Sequence, residues 1–294
     1  MESATASARP SISAGPIRAV WSWVRRNGFK IYTGFALAYV LIPIAVIAVF
    51  SFADASQNRD HLSFAINNGF TLKYWEHAFS VPDLNSALFT SFRLAALATL
   101  LSTIIGTLMA IALVRYRFYG RRASNLLLVL PMATPEIVMG ASLLSLFLIY
   151  GIALGFTSLL IAHIMFCISF VVVVVRSRLI GFDRSIEDAA ADLGASPIET
   201  FRYVTLPLLS PGILAAALLA FALSVDDFIV SDFNKGTTET FPIYVFGAHL
   251  RGIPVQVNVV ATMLFALVVT AICFVLWQQR RAERMASVRL EQEV

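Results

Sequence analysis

The chain has 294 residues, of which 58% are hydrophobic and only 14% charged, with a mean hydropathy of +0.78. Soluble domains carry about 25% charged residues, so a soluble enzyme is excluded and a polytopic helical membrane protein fits. A net charge of +4 raises the question of nucleic acid, which is decided by where the charges lie.

Residues 1–16, rich in Ser and Ala with Pro10 and Pro16, read as a disordered tail; no apolar core and cleavage pattern marks a signal peptide there. Over 17–29, Ile17, Val20, Trp21 and Val24 share a helical face opposite Arg18 and Arg25. That pattern suits an interfacial amphipathic segment, and equally a basic flank that orients the first span. A span needs about 20 apolar residues. Six runs meet or approach this: 31–52, 86–114, 124–150, 154–175, 208–231 and 257–277. The expected fold class is therefore an all-α polytopic membrane protein of about six transmembrane helices within 30–279, followed by a tail, 280–294. Cys167 and Cys273 lie inside apolar runs and read as small buried hydrophobes, with no disulfide framework or metal spacing.

With the N-terminus inside, 17 of the 22 basic residues fall in cytoplasmic segments, around Arg25, Arg121, Arg178 and Arg281. This bias predicts both termini in the cytoplasm. It also removes the nucleic-acid reading, because the basic residues are anchors scattered over four short segments.

Three carboxylates fall inside predicted spans, where ionisable groups are costly and usually functional. They are Glu136, Asp226 and Asp227, and neither 124–150 nor 208–231 contains Lys or Arg. Glu136 follows Pro131 and Pro135, which predicts a bent helix beside it. At about 1.5 Å rise per residue, Glu136 lies roughly 21 Å beyond Arg122 and Asp227 roughly 30 Å beyond Pro207. On a continuous helix Ser224, Asp227 and Ser231 share a stripe, which favours Asp227 over Asp226 as the path-lining acid. A headgroup or helix-end position is the plain alternative for these acids. His163, alone in an apolar run, reads as an interhelical hydrogen-bonder rather than a proton relay.

The cytoplasmic segment 185–207 carries the densest local signals. Ser185 with Asp188 resembles a capping box, Gly194 suits a left-handed helix end, and Ser196-Pro197 with Glu199 opens a second helix. Two short helices joined at a sharp bend are expected, with Ala189, Ala190 and Ala191 allowing close approach by a partner.

Here the chain resembles permeases of ATP-binding-cassette importers. Their coupling loop has Glu-Ala-Ala, three residues, Gly, nine residues and Ile-x-Leu-Pro. This chain has Asp188-Ala189-Ala190, Gly194 and Val204-Thr205-Leu206-Pro207 at those spacings. Asp for Glu at 188 leaves open whether Glu187 makes the contact instead. The resemblance implies the type I importer permease fold and a loop that docks on a cytoplasmic ATPase dimer.

Over 30–277 the chain is similar to the second permease type of spermidine/putrescine importers, through Arg115-Tyr116-Arg117-Phe118, Pro135-Glu136-Ile137-Val138-Met139 and Ser224-Val225-Asp226-Asp227. That resemblance implies a path for polyamines involving Glu136, Asp226, Asp227, Ser224 and Trp75. It also implies a sister permease, an extracytoplasmic polyamine-binding protein and a bacterial inner-membrane location. Separated carboxylates suit a string of ammonium groups, and Trp75 offers a cation–π contact worth about 0.5–2 kcal/mol; an interfacial aromatic is its plain reading. No GxxxxGK[ST] occurs, so ATP and Mg are expected on the partner ATPase and no cofactor here. Another small organic cation or solute as cargo is the near alternative. A secondary transporter would explain the acids but not the loop, and a membrane aspartyl protease would need its acids on two helices.

Overall fold

A computed structural model of the protein describes residues 16–54 and 69–292. Of the expected tail 1–16, residues 1–15 lie outside them, and Pro16 is the first residue of a helix. The helices are α1 (Pro16–Phe50), α2 (Lys73–Glu76), α3 (Pro82–Arg115), α4 (Arg121–Ala133), α5 (Glu136–Ile149), α6 (Phe156–Ile180), α7 (Ser185–Asp192), α8 (Pro197–Thr200), α9 (Leu206–Asp226), α10 (Ile229–Asn234), α11 (Phe241–Arg251) and α12 (Val255–Gln292). They form two compact units, one of 16–54, 69–78 and 255–292 and the other of 79–254.

In the first unit α1 packs on α12, and α2 also meets α12. The segment 17–29 and the first span are one unbroken helix, and α12 carries the helix on to Gln292. Cys273 is exposed on α12, contrary to the buried position expected of it. On a membrane helix an apolar side chain needs no protein cover, so an apolar run does not imply burial.

The second unit is built on the packing of α3, α6 and α9. Small side chains let these helices approach closely: Ala98, Ala110, Ala162, Ala216 and Ala220 are fully buried. A Cβ on Gly106 of α3 would lie only 2.7 Å from Val171 Cγ1 of α6. The faces left over, such as Leu100, Ile104 and Leu108, are exposed and apolar, as lipid-facing surfaces are.

Among the described residues, four helical stretches are long and apolar enough to cross a membrane: 27–50, 82–115, 156–180 and 197–226. The run expected over 124–150 is not one helix. It is α4 and α5, bent by 114° at Thr134-Pro135, and counts as a fifth span if the pair is taken together. Pro135 excludes Thr134 from the helical region, and Thr134 is extended at φ −83°, ψ 134°. The sixth expected run, 257–277, lies entirely within the single helix α12.

The 208–231 run is broken as well. Helix α9 ends at Asp226, Asp227 is extended at ψ 118°, and α10 starts at Ile229. At its other end α9 continues α8 through a π-helical turn, Phe201–Thr205, in which Leu206 N–H donates to Phe201 C=O. The second helix of the loop therefore runs into the membrane instead of stopping short. Pro211 lacks the N–H that would meet Pro207 C=O, and the Ser210 hydroxyl donates there instead at 2.8 Å.

Candidate functional site

The loop 185–207 is ordered by local chemistry. Gly194 has φ +89°, Ala195 N–H donates to Ala190 C=O at 3.1 Å and Gly194 N–H to Ala191 C=O at 2.9 Å. These two bonds are the Schellman arrangement that ends a helix through a left-handed residue. The capping box at Ser196 is present: Glu199 N–H donates to Ser196 Oγ, while Ser196 N–H donates to Glu199 Oε2 at 2.8 Å. The Ser196 hydroxyl also donates to Glu199 Oε2 at 2.7 Å.

The Ser185 box expected at the start of α7 is absent. Ser185 lies inside the helix, and its N–H donates to Asp183 Oδ1 at 2.9 Å. Asp183 does the capping, two residues earlier than the spacing suggested, and the Ser185 backbone N–H holds its carboxyl low.

Neighbouring acids of α7 part company. Glu187 Oε2 lies 2.9 Å from Arg115 Nη2, both side chains being about 15% exposed, and its Oε1 accepts from Thr205 Oγ1 at 2.8 Å. The Asp188 side chain is 70% exposed, with Arg184 no nearer than 4.0 Å. Ala189, Ala190, Leu206 and Pro207 remain outside the buried core.

The membrane acids are not equivalent either. Asp227 is 9% exposed and caps α10: Oδ2 accepts from Ser231 N–H and Ser231 Oγ, each at 2.8 Å, and Oδ1 from Val230 N–H at 3.4 Å. His163 of α6, 1% exposed, bonds Ser224 Oγ through Nδ1 at 2.7 Å and Ser231 Oγ through Nε2 at 2.9 Å. Because the Ser231 hydroxyl proton goes to Asp227, His163 Nε2–H is the donor to Ser231. Nε2 also lies 3.5 Å from Asp227 Oδ2. His163 thus bonds between helices, as its lone position suggested, and it does so beside a carboxylate that only the fold brings near.

Ser224, Asp227 and Ser231 do come together, but around a helix break instead of along a stripe. Asp226 is the exposed member of the pair, and Glu136 is exposed in the first turn of α5. Helix α10 is fixed to its neighbours: Asn234 Nδ2 donates to Gly140 C=O of α5 at 3.3 Å, and Ser158 Oγ of α6 donates to Asn234 C=O at 2.8 Å. A Cβ on Gly140 would lie 2.9 Å from the Phe233 ring.

Trp75 belongs to the other unit. Its ring stacks on Phe52 with centroids 5.0 Å apart, which occupies one of its two faces.

A bundle of membrane helices with two interrupted spans carries an exposed helix–glycine bend–helix projection, the arrangement expected of an importer permease. Residues 102–286 match the family described as the inner membrane component of binding-protein-dependent transport systems, and this chain belongs to that family. The spermidine/putrescine transport system permease protein PotC of Haemophilus influenzae is 41% identical over 243 residues, 82% of this chain and 91% of the relative. Putrescine transport system permease protein PotI of Escherichia coli K12 is 34% identical over 260 residues, 85% of this chain and 89% of the relative.

Among solved structures, a bacterial ABC transporter that imports the acidic polysaccharide alginate aligns with TM-score 0.60 at 17% identity, over 92% of this chain and 99% of that one. An amino acid ABC transporter aligns with TM-score 0.54 at 18% identity, over 72% and 100%. The importer-permease resemblance of the sequence is thereby borne out, with the all-helical fold. The chain is a non-catalytic, multi-pass inner-membrane subunit. A permease of this family works with an ATPase, a binding protein and a partner permease.

Proposed function

We propose that this chain forms, with a sister permease, the path by which polyamines such as spermidine and putrescine enter the cell, driven by an ATPase dimer docked on the loop 185–207. Both termini are cytoplasmic in this reading, and an extracytoplasmic polyamine-binding protein delivers the cargo. The single observation that carries the substrate class is the 41% identity to a spermidine/putrescine permease over 82% of the chain. The site's chemistry supports it. Glu136 and Asp226 are exposed carboxylates at the ends of interrupted helices, in stretches without Lys or Arg, where the cost of a charge is met by a cationic partner.

Asp227 and Ser224 serve the path from behind, by holding the break that presents Asp226. Cargo recognition by carboxylates is tested by uptake of labelled putrescine and spermidine into proteoliposomes containing the whole complex. A hydrogen bond to a charged group is worth about 1.5–3 kcal/mol, so Glu136→Gln or Asp226→Asn lowers uptake by about tenfold or more. Wild-type uptake in both variants would remove the cation-path reading.

A further inference from the structure

We infer that Arg115, Glu187 and Thr205 form a strut that carries the coupling loop's motion into α3, with Glu187 working inside the chain and Asp188 left for the ATPase. This rests on the reading of 185–207 as the docking loop.

Helix α7 has no buried residue, so apolar packing does not fix it against the bundle. Along the chain it is joined to α6 by 181–184 and to α8 through the left-handed Gly194. A load placed on α7 would be absorbed at those joints unless a lateral link carried it. Glu187 supplies the link. One carboxylate oxygen meets Arg115 at the last turn of α3, and the other accepts from Thr205 in the π-helical turn that leads into α9.

The Arg115–Glu187 contact is an ion pair without hydrogen-bond alignment, and the Arg115 guanidinium also lies 5.8 Å from the Phe182 ring centre. One acid of α7 is thus tied simultaneously to the end of α3 and to the turn that leads into α9, two of the helices on whose packing the second unit is built. Asp188, about 100° further round the helix, lies at the edge of the same cleft with its side chain 70% exposed and no such tie. That division settles which of the two adjacent acids remains available to an outside partner.

A cleft of about 370 Å³ lined by Ile111, Ala191, Pro197 and Phe201 borders the pair, so exchanged side chains have room. The test uses the reconstituted complex of permeases, ATPase and binding protein. Two quantities are read: ATPase retained on the permease, and cargo moved per ATP hydrolysed.

Glu187→Gln, Arg115→Glu and Thr205→Val should each retain the ATPase at the wild-type level while cargo per ATP falls about five- to thirtyfold, which lies within the span of coupling seen between contacting residues. Combining Arg115→Glu with Glu187→Arg should restore most of the ratio, and Asp188→Asn should lower ATPase retention instead. The inference is overturned if Glu187→Gln sheds the ATPase while Asp188→Asn does not. It is equally overturned if the single variants keep the wild-type ratio, or if the exchanged pair assembles but stays as defective as its parents. A wild-type permease that retains no ATPase would remove the docking-loop reading itself, an outcome distinct from all of these.

Discussion

Gly194 offers the cleanest perturbation of the docking loop, because its conformation and its surroundings separate. Its φ is +89°, yet a Cβ built there would meet nothing within 4 Å. Substitution therefore costs backbone energy and no packing. A residue with a Cβ pays about 1–2 kcal/mol in the left-handed region, Asn less because it visits that region routinely, and β-branched Val most. Helix α7 has no buried residue to hold the bend by other means, so this cost passes into the fraction of loops shaped for docking. An apparent Kd rises by the factor with which the competent fraction falls, and 1–2 kcal/mol is about 5–30-fold.

The series Gly194→Asn, Gly194→Ala, Gly194→Val should weaken ATPase binding to the purified permease progressively, reaching that range at Val, while membrane insertion is unchanged. Transport-linked ATP hydrolysis should fall in the same order. A flat series, with Gly194→Val binding as wild type does, would refute the assignment of this bend to docking.

The two membrane aspartates should separate in paired measurements. Asp227→Ala leaves the Val230 and Ser231 N–H groups without the acceptor they now use and should cost about 1–2 kcal/mol as a lost cap, read as a lowered Tm of the purified permease. Asp227→Asn, which keeps a capping oxygen, should retain most of the Tm. Asp226→Asn should leave the Tm unchanged and act on uptake alone; a Tm loss in Asp226→Asn as large as in Asp227→Ala would contradict the division of roles. For orientation, an impermeant thiol label outside spheroplasts should modify Thr237→Cys and spare Asp192→Cys, both exposed positions. The reverse pattern would place the loop 185–207 on the wrong side of the membrane.

Features set by neighbouring residues were legible in the sequence, and features set by distant ones were not. Gly194, Ser196 and Glu199 act within a few positions, and the bend and capping box appear where the pattern places them. Pro131 and Pro135 announced distortion beside Glu136, although not a turn of 114°. No Pro or Gly announces the break after Asp226. It is held by Asp227 capping α10 and by His163, 61 and 68 positions from the serines it bonds. Read as one helix, that stretch puts Asp227 on a path-lining stripe; read with the break, it buries Asp227 and exposes Asp226. Glu187 likewise finds Arg115 only through the fold, so the pattern alone could not choose between Glu187 and Asp188. The caps of α7 show the limit of spacing, since Asp183 reached the first N–H before Ser185 could.

Proteoliposomes that hold the complete complex, loaded with ATP or with a non-hydrolysable analogue and given labelled spermidine with its binding protein outside, test directly whether this chain is the permease of an ATP-driven importer for small organic cations. An ATP-driven permease accumulates spermidine with ATP, not with the analogue, and not when the permeases are reconstituted without the ATPase. Accumulation by the permeases alone, driven by an imposed ion gradient and indifferent to ATP, would contradict that reading.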